Sequence, residues 1–232
     1  MKKIMWASLF LFIFAMVASA ALLKEDQTVS VTGTGVVQVA PDTATVRLGV
    51  EVIKKTAQEA QTENAGIMQK IMAAATKLDI PKEKIQTSGF YIWPEMKYEP
   101  NQPPKTVGYR CNNQVSITIE DLSKISKVID AGIGAGANNV QGIQFSRKDD
   151  SEFKKSSLDK AVKDASAKAQ AIANAAGLKI KNIKNIIESG AAVPVSLEFS
   201  GVRAMGGGGA ETPVSPGLME VRGNVTVVYK ME

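Results

Sequence analysis

The spacing of apolar and polar positions predicts strands near both ends of the chain. Apolar residues or glycines occupy every second position over 29–39, and a second alternating run covers 44–52. Alternation of this length is typical of a strand with one buried face. Pro41 and Asp42 separate the two runs, so we expect the two strands to form a hairpin. A third alternating run, at 221–230, predicts the closing strand.

Between these ends, helical periodicity predicts two long helices and a short one at 122–133. Residues 57–78 carry apolar side chains at steps of three and four, and Thr56 with Glu59 forms a capping box. The second long helix, at 151–177, ends on a glycine suited to a helix C-cap. Its predicted buried stripe consists of Leu158, Val162, Ala165, Ala169, Ile172 and Ala176. Because small alanine side chains dominate this stripe, we expect a sheet to approach the helix closely.

The order of the elements predicts an α+β fold of antiparallel sheets with helices packed on one face. Further strands are expected at 85–98, 106–120, 140–147 and 180–199, before a flexible glycine-rich loop at 200–216. Residues 43–120 and 140–230 then both give the order strand, long helix, strand, strand. We interpret these halves as two βαββ-like units joined by the helix at 122–133. The halves share no residue-level identity, so the hypothesis of a duplication concerns topology alone.

The first twenty residues have the composition of an export signal. Two lysines precede an apolar run at 4–17, and Ala18-Ser19-Ala20 offers small residues where a signal peptidase cleaves. We therefore predict a signal peptide at 1–20 and a periplasmic or secreted protein. In the alternative, residues 4–23 stay uncleaved and anchor the chain in the inner membrane, the one case in which we expect a membrane partner. Cleavage lowers the formal net charge from +5 to +3. This small and scattered excess of basic residues argues against a nucleic-acid partner.

The chain has no histidine and one cysteine, which removes several kinds of chemistry. Ser-His-Asp and Cys-His catalysis, imidazole metal ligands and thiolate zinc sites are all excluded. Cys111 shares its alternation with Val115 and Ile117, so we interpret it as a small buried side chain. The alternative is a redox-active or intermolecular thiol. We predict no catalytic, cofactor-binding or metal-ligating residue, no cofactor, and a protein that is not an enzyme. An enzyme that uses carboxylates alone is a minor alternative.

Two glycines of the first strand, Gly33 and Gly35, resemble part of a dinucleotide-binding fingerprint. However, the third glycine is missing and the pair lies inside an alternating strand, not at a turn from strand to helix. We interpret them as marking a bulge or the close packing of a helix.

A short aromatic segment is the candidate interaction surface. Tyr91 and Trp93 occupy the face of a predicted strand opposite Phe90 and Ile92, so one of these pairs is expected to lie outside the core. Tyr91 and Trp93 are thus our possible interface residues, in contact with a second subunit or a ligand. The alternative is that a helix of the same chain covers them.

Taken together, several of these segments resemble the SIMPL-domain family over about residues 28–230. The segments are Val31–Gly35 with Ala40–Asp42, Gly108-Tyr109 before 115–119, Val140–Phe145, Ala161–Ala169 and Pro216-Gly217. The resemblance implies an α+β fold of packed βαββ-like units and export to the bacterial envelope, where the family includes periplasmic immunogenic proteins. It also implies self-assembly in some members and a link to oxidative-stress resistance. It defines no catalytic or cofactor residues.

Two hypotheses for the function follow. In the first, the chain is a non-enzymatic envelope protein that assembles with itself into a scaffold and contributes to oxidative-stress tolerance. In the second, it is a periplasmic binding module that captures a peptide or another envelope protein through an edge strand or an aromatic face.

Overall fold

The computed structural model describes residues 27–190, 192–195 and 212–232, with backbone only for 192–195. Its strands are β1 (Thr28–Val39), β2 (Thr43–Lys54), β3 (Ile85–Lys97), β4 (Lys105–Ile119), β5 (Asn139–Ser146), β6 (Ile180–Glu188), β7 (Ala192–Val195) and β8 (Met219–Met231). Its helices are α1 (Ala57–Thr76), α2 (Ile125–Gly134) and α3 (Ser151–Ala175). These elements form two antiparallel sheets, which confirms the predicted α+β class. The predicted signal or anchor at 1–23 and residues 200–211 of the predicted loop lie outside the described residues.

The first sheet has the strand order β3-β4-β2-β5, and α1 and α2 pack on one of its faces. Alternate residues of β2 and β4 face the helices and are fully buried, among them Val46, Leu48, Val115 and Ile117. They form one core cluster with Ile71 of α1 and other apolar residues of both helices. Burial of this apolar surface is the main source of stability of the sheet and its helices.

Helix α1 begins where the sequence predicts it. The Thr56 hydroxyl accepts a hydrogen bond from the Glu59 backbone, and the Glu59 carboxylate accepts one from the Thr56 backbone. The polar residue in its buried face, Asn64, has a structural reason. Its amide donates to the carbonyl oxygens of Val50 at 2.8 Å and Cys111 at 3.1 Å, and so joins the helix to both central strands.

The second sheet has the order β1-β8-β6, with β7 paired to the start of β8. Small residues allow α3 to approach it closely. A Cβ atom on Gly33 would overlap the carbonyl oxygen of Ala161, and one on Gly35 would overlap that of Ser157. Close packing of a helix, one of the two roles expected for these glycines, is therefore the observed one.

The buried face of α3 differs from the predicted stripe. Ala165 and Ala169 are buried as expected, but Ile172 is 46% exposed and Ala176 lies beyond the helix and is exposed. The buried residues follow a row at steps of four: Ser157, Ala161, Ala165, Ala169 and Ala173. This row holds the smallest side chains of the helix. Only small side chains fit where the helix contacts the glycines of the sheet, so size and not hydrophobicity decides which residues are buried.

The predicted hairpin of β1 and β2 is wrong. β1 pairs with β8, whereas β2 pairs with β4 and β5, so the two consecutive strands belong to different sheets. Alternation identified each strand correctly but carries no information about its partner. β5, the first strand of the predicted half 140–230, pairs with β2 of the other predicted half. The duplication remains a hypothesis about element order.

The described residues form two compact units. One contains residues 27–36, 156–190 and 223–232, and the other contains residues 37–155, 192–195 and 212–222. Each has its own core cluster. Among the described helices, none is both long enough and apolar enough to cross a membrane.

Candidate interaction surface on the β3–β4 hairpin

The aromatic segment lies on β3, an edge strand of its sheet. The register pairs Ile92 with Cys111 and Trp93 with Arg110. Cys111 in turn pairs with Val52, which belongs to the core beneath the helices. Ile92 is therefore on the helix-bearing face of the sheet, and Trp93 is on the opposite face.

Both faces of this part of β3 are exposed. Ile85, at the start of the strand, is buried in the core, but Phe90 is 49% and Ile92 is 36% exposed on the helix-bearing face. On the other face, Tyr91 is 61% and Trp93 is 40% exposed. The sequence predicted one exposed pair, and the structure has two. Four large apolar or aromatic side chains in succession therefore reach solvent on one edge strand, a feature that marks interaction sites.

An ion-pair cluster adjoins the aromatic rings on the outer face. Arg110 donates to Glu95 at 2.9 Å and also to Glu51, and it stands in register between Trp93 and Ile53. The hydrogen bonds to Glu95 and Glu51 raise the pKa of Arg110, and the bond from Arg110 lowers the pKa of Glu95. Both groups therefore stay ionised at neutral pH. The cluster fixes charged side chains beside Trp93.

The free edge of β3 has no charged residue from Ile85 to Pro94. Natural sheets commonly protect such an edge with charges, bulges or covering side chains. Here the first charged residue is Glu95, which is engaged by Arg110. Register shifts at Thr87/Gly89 and Glu95/Met96 lie at the two ends of this stretch, and Pro94 has no N–H to donate. The regular part between them, Phe90–Trp93, is apolar and open to pairing with a further strand.

The edge of β1, in the other sheet, is protected by contrast. Three side chains of α3 bond to its outward backbone groups. Asp164 accepts from the Thr34 N–H at 2.8 Å, and the ammonium groups of Lys168 and Lys160 donate to the carbonyls of Thr32 and Val36 at 3.0 Å. These contacts occupy the groups that a further strand would use. The two edge strands therefore differ in whether side chains occupy their outward backbone groups.

The alternation pattern predicts Tyr91 and Trp93 as interface residues, and it does not predict that Phe90 and Ile92 are exposed as well. Phe90 and Ile92 follow the alternation expected of core residues. They are exposed because the helices do not fully cover this part of the sheet. The Arg110 cluster joins three strands, so it depends on the register between β2, β3 and β4. The available signal was the pair of polar residues, Glu51 and Arg110, on the non-core sides of two predicted strands.

The cysteine and a cavity beside α1 are the other candidate chemical features among the described residues. Cys111 is fully buried, as predicted, and burial raises the pKa of its thiol, which keeps it protonated. Within the described ranges, no three metal-ligating side chains come together. An open cavity of about 330 Å³ lies beside α1, lined by Met72, Ala73, Thr76, Lys82 and Ile85. Lys82 is the one ionisable residue of this lining, and the other four lining residues offer it no catalytic partner.

Comparison with known proteins gives a match over almost the whole described chain. Residues 29–229 match the SIMPL family, described as a protein of unknown function (DUF541). The 26 kDa periplasmic immunogenic protein of Brucella melitensis is 27% identical over 212 residues, which cover 88% of this chain and 84% of that protein. The uncharacterized protein YggE of Escherichia coli K12 is 26% identical over 164 residues, which cover 70% of this chain and 65% of that protein. YggE of Edwardsiella ictaluri is 22% identical over 167 residues, or 72% of this chain and 70% of that protein.

Proposed function

The chain belongs to the SIMPL family, and from this premise we propose that it is an exported, non-enzymatic envelope protein that assembles with copies of itself through the β3–β4 hairpin. Export is supported by the signal-like segment at 1–20 and by the relative in Brucella, which is named as periplasmic. The observation that carries the proposal is the exposed, uncharged and aromatic edge of β3.

A second copy of the chain fits this edge. Two β3 strands related by a twofold axis pair antiparallel, so each backbone edge satisfies the other. In such a pair Phe90 and Ile92 of the two copies share one face, and Tyr91 and Trp93 share the other. Aromatic side chains are enriched in the cores of protein interfaces, where charged residues are depleted. The absence of charge from Ile85 to Pro94 means that the two copies meet without like-charge repulsion.

The non-enzymatic part of the proposal is supported by the available side chains. The sequence has no histidine, the cysteine is sealed in the core, and Arg110 and Glu95 hold each other ionised. These features support a role that depends on a surface and not on a reaction centre.

Measurement of particle size tests the assembly. Light scattering or native mass spectrometry on the purified protein should show an oligomer at micromolar concentration, and Tyr91→Ala with Trp93→Ala should reduce its size. The matched control is Ile187→Ala on β6, where the side chain is 52% exposed on another edge strand. A monomeric parent protein contradicts self-assembly. An equal reduction of oligomer size in both variants contradicts a contact at the β3–β4 hairpin.

The proposed cellular role is tolerance of oxidative stress, carried by the assembled form. Cells that lack the protein should be more sensitive to hydrogen peroxide, and the parent gene should restore resistance. The variant with Tyr91→Ala and Trp93→Ala should fail to restore it while reaching the same protein level. Full restoration of peroxide resistance by this variant would show that the cellular role does not depend on the hairpin surface.

The N-terminus decides between a free and an anchored protein. Sequencing of the mature protein from cells should begin after Ala20 if the signal is cleaved. An intact Met1 would instead mean that residues 4–23 hold the chain in the inner membrane.

The open edge also favours a second candidate function, in which β3 captures an extended peptide or an envelope protein as an added strand. This candidate predicts a monomer whose β3 amides become protected from hydrogen exchange only when the partner is added. Protection in the purified protein alone, dependent on its concentration, would support self-assembly instead.

A further inference from the structure

Two amide side chains on the side of the sheet that faces α1 each have a buried oxygen without a hydrogen-bond partner among the described residues. They are Oδ1 of Asn64, on α1, and Oδ1 of Asn113, on β4. The Asn64 side chain is 0% exposed. A buried acceptor without a donor is unfavourable, and native proteins usually satisfy such atoms with protein groups or ordered water.

The strand register places the two amides on the same side of the sheet. Asn64 Nδ2 bonds to the carbonyls of Val50 and Cys111 at 2.8 and 3.1 Å. Val50 is the cross-strand partner of Asn113, and Cys111 precedes Asn113 by two residues on β4. Cross-strand partners and residues two apart project from the same face of a sheet. The Asn113 side chain therefore leaves the sheet on the side of α1, beside the point where the Asn64 amide meets the strands.

The orientation of the Asn64 amide is fixed by these contacts. Rotation by half a turn would bring Oδ1 against two carbonyl oxygens and would lose both hydrogen bonds. Oδ1 of Asn64 consequently faces away from the Val50 and Cys111 carbonyls and needs a donor from elsewhere. Oδ1 of Asn113 has the same need.

We propose that one water molecule binds between these amides and donates one hydrogen to each Oδ1. Water is the small ligand that supplies two donors from a single atom, and buried waters typically make two to four hydrogen bonds. The bound water would link α1 to β4 in addition to the direct bonds of Asn64.

The position of this hydration site gives it a structural role. Asn113 also pairs in register with Phe90, which is exposed on the helix-bearing face of β3. The site therefore lies beside α1, one strand away from the exposed Phe90. The water would satisfy polar groups that attach the base of the hairpin to α1.

A crystal structure that resolves ordered waters tests the proposal directly. We expect a single density peak within hydrogen-bond distance, about 2.7–3.2 Å, of both Oδ1 atoms. An empty space between the amides would overturn the proposal. A direct bond from Asn113 Nδ2 to Asn64 Oδ1 would overturn it equally.

Oxygen-17 magnetic relaxation dispersion gives an independent test in solution, since it counts long-lived internal waters. Asn113→Leu should remove the contribution of one water from the parent signal. Asn112→Leu is the matched control, because Asn112 is buried on the opposite face and accepts a hydrogen bond from Gln114. This control should keep the signal, with circular dichroism checking that both variants are folded. An unchanged signal in Asn113→Leu would refute the site.

Discussion

At the scale of single residues, Asn64 shows how one polar side chain can organise an apolar core. It interrupts the buried face of α1, and its amide reaches two neighbouring strands at once. Those carbonyls belong to β2 and β4, the two central strands of the sheet. A leucine would fill the same space without directional bonds, so Asn64 fixes the position of α1 along the strands as well as its burial.

Replacement of Asn64 should therefore destabilise the protein clearly. We expect Asn64→Ala to lower the free energy of unfolding by about 1–3 kcal/mol, because two hydrogen bonds are lost from a buried site. Asn64→Asp should cost more, since a carboxylate would face two carbonyl oxygens. Chemical denaturation measures both changes. The control is Gln69→Ala, an exposed position on the same helix, which should change stability by less than about 0.5 kcal/mol.

Asp164 gives a second prediction at this scale, concerning pH. The hydrogen bond from Lys168, together with the Thr34 N–H, holds the pKa of Asp164 below its ordinary value of 3.8. A carboxyl group with a lower pKa in the folded state stabilises the protein above its unfolded pKa, and this contribution is lost as pH falls through the folded pKa. Asp164→Asn should thus make the loss of stability below about pH 4 less steep. Parallel slopes for both proteins in acid denaturation would contradict this contribution.

At the scale of elements, the packing of α3 shows which parts of the fold a sequence determines. The strand alternation, the capping box and the glycine after α3 depend on local geometry, and the helices and strands that they predict are present within the described residues. The buried row of α3 depends on the sheet opposite it. Ser157 is buried because it faces glycines, while the larger Ile172 is exposed. Strand partners likewise depend on distant segments, which is why the β1–β2 pairing and the Arg110 cluster were not predictable.

The glycines of β1 should be essential for this packing. In Gly33→Ala the added Cβ would overlap the Ala161 carbonyl and lie 2.7 Å from the Ala165 nitrogen, and both atoms belong to the helix backbone. We expect a loss of at least about 1–3 kcal/mol, as for overpacked cores. The matched substitution Gly66→Ala on α1 meets nothing within 4 Å and should stabilise the helix by about 0.5–1 kcal/mol. Thermal unfolding of both variants measures the two changes in stability. An equal change for Gly33→Ala and Gly66→Ala would rule out close packing as the reason for Gly33.

At the scale of the whole molecule, the two edge strands differ in a way that supports the association proposed for β3. Side chains of α3 occupy the backbone groups of β1, which leaves that edge unsuited to a further strand. β3 has neither covering side chains nor charges along its exposed stretch, and large apolar groups lie on both of its faces. Protection of one edge and exposure of another are more consistent with a selected contact than with a general tendency to aggregate.

Trp93 can report on the proposed contact through its own fluorescence, since the chain has only one other tryptophan, Trp6. In the separated protein the indole is 40% exposed, and burial between copies would shift its emission to shorter wavelengths. On dilution we expect the emission to move to longer wavelengths with the same midpoint as the fall in particle size. Trp93→Phe, which keeps an aromatic ring, should abolish the shift whether or not Trp6 is present. If the particles dissociate while the emission of the parent protein stays constant, the copies meet on another surface, and the hairpin is left free for a different partner.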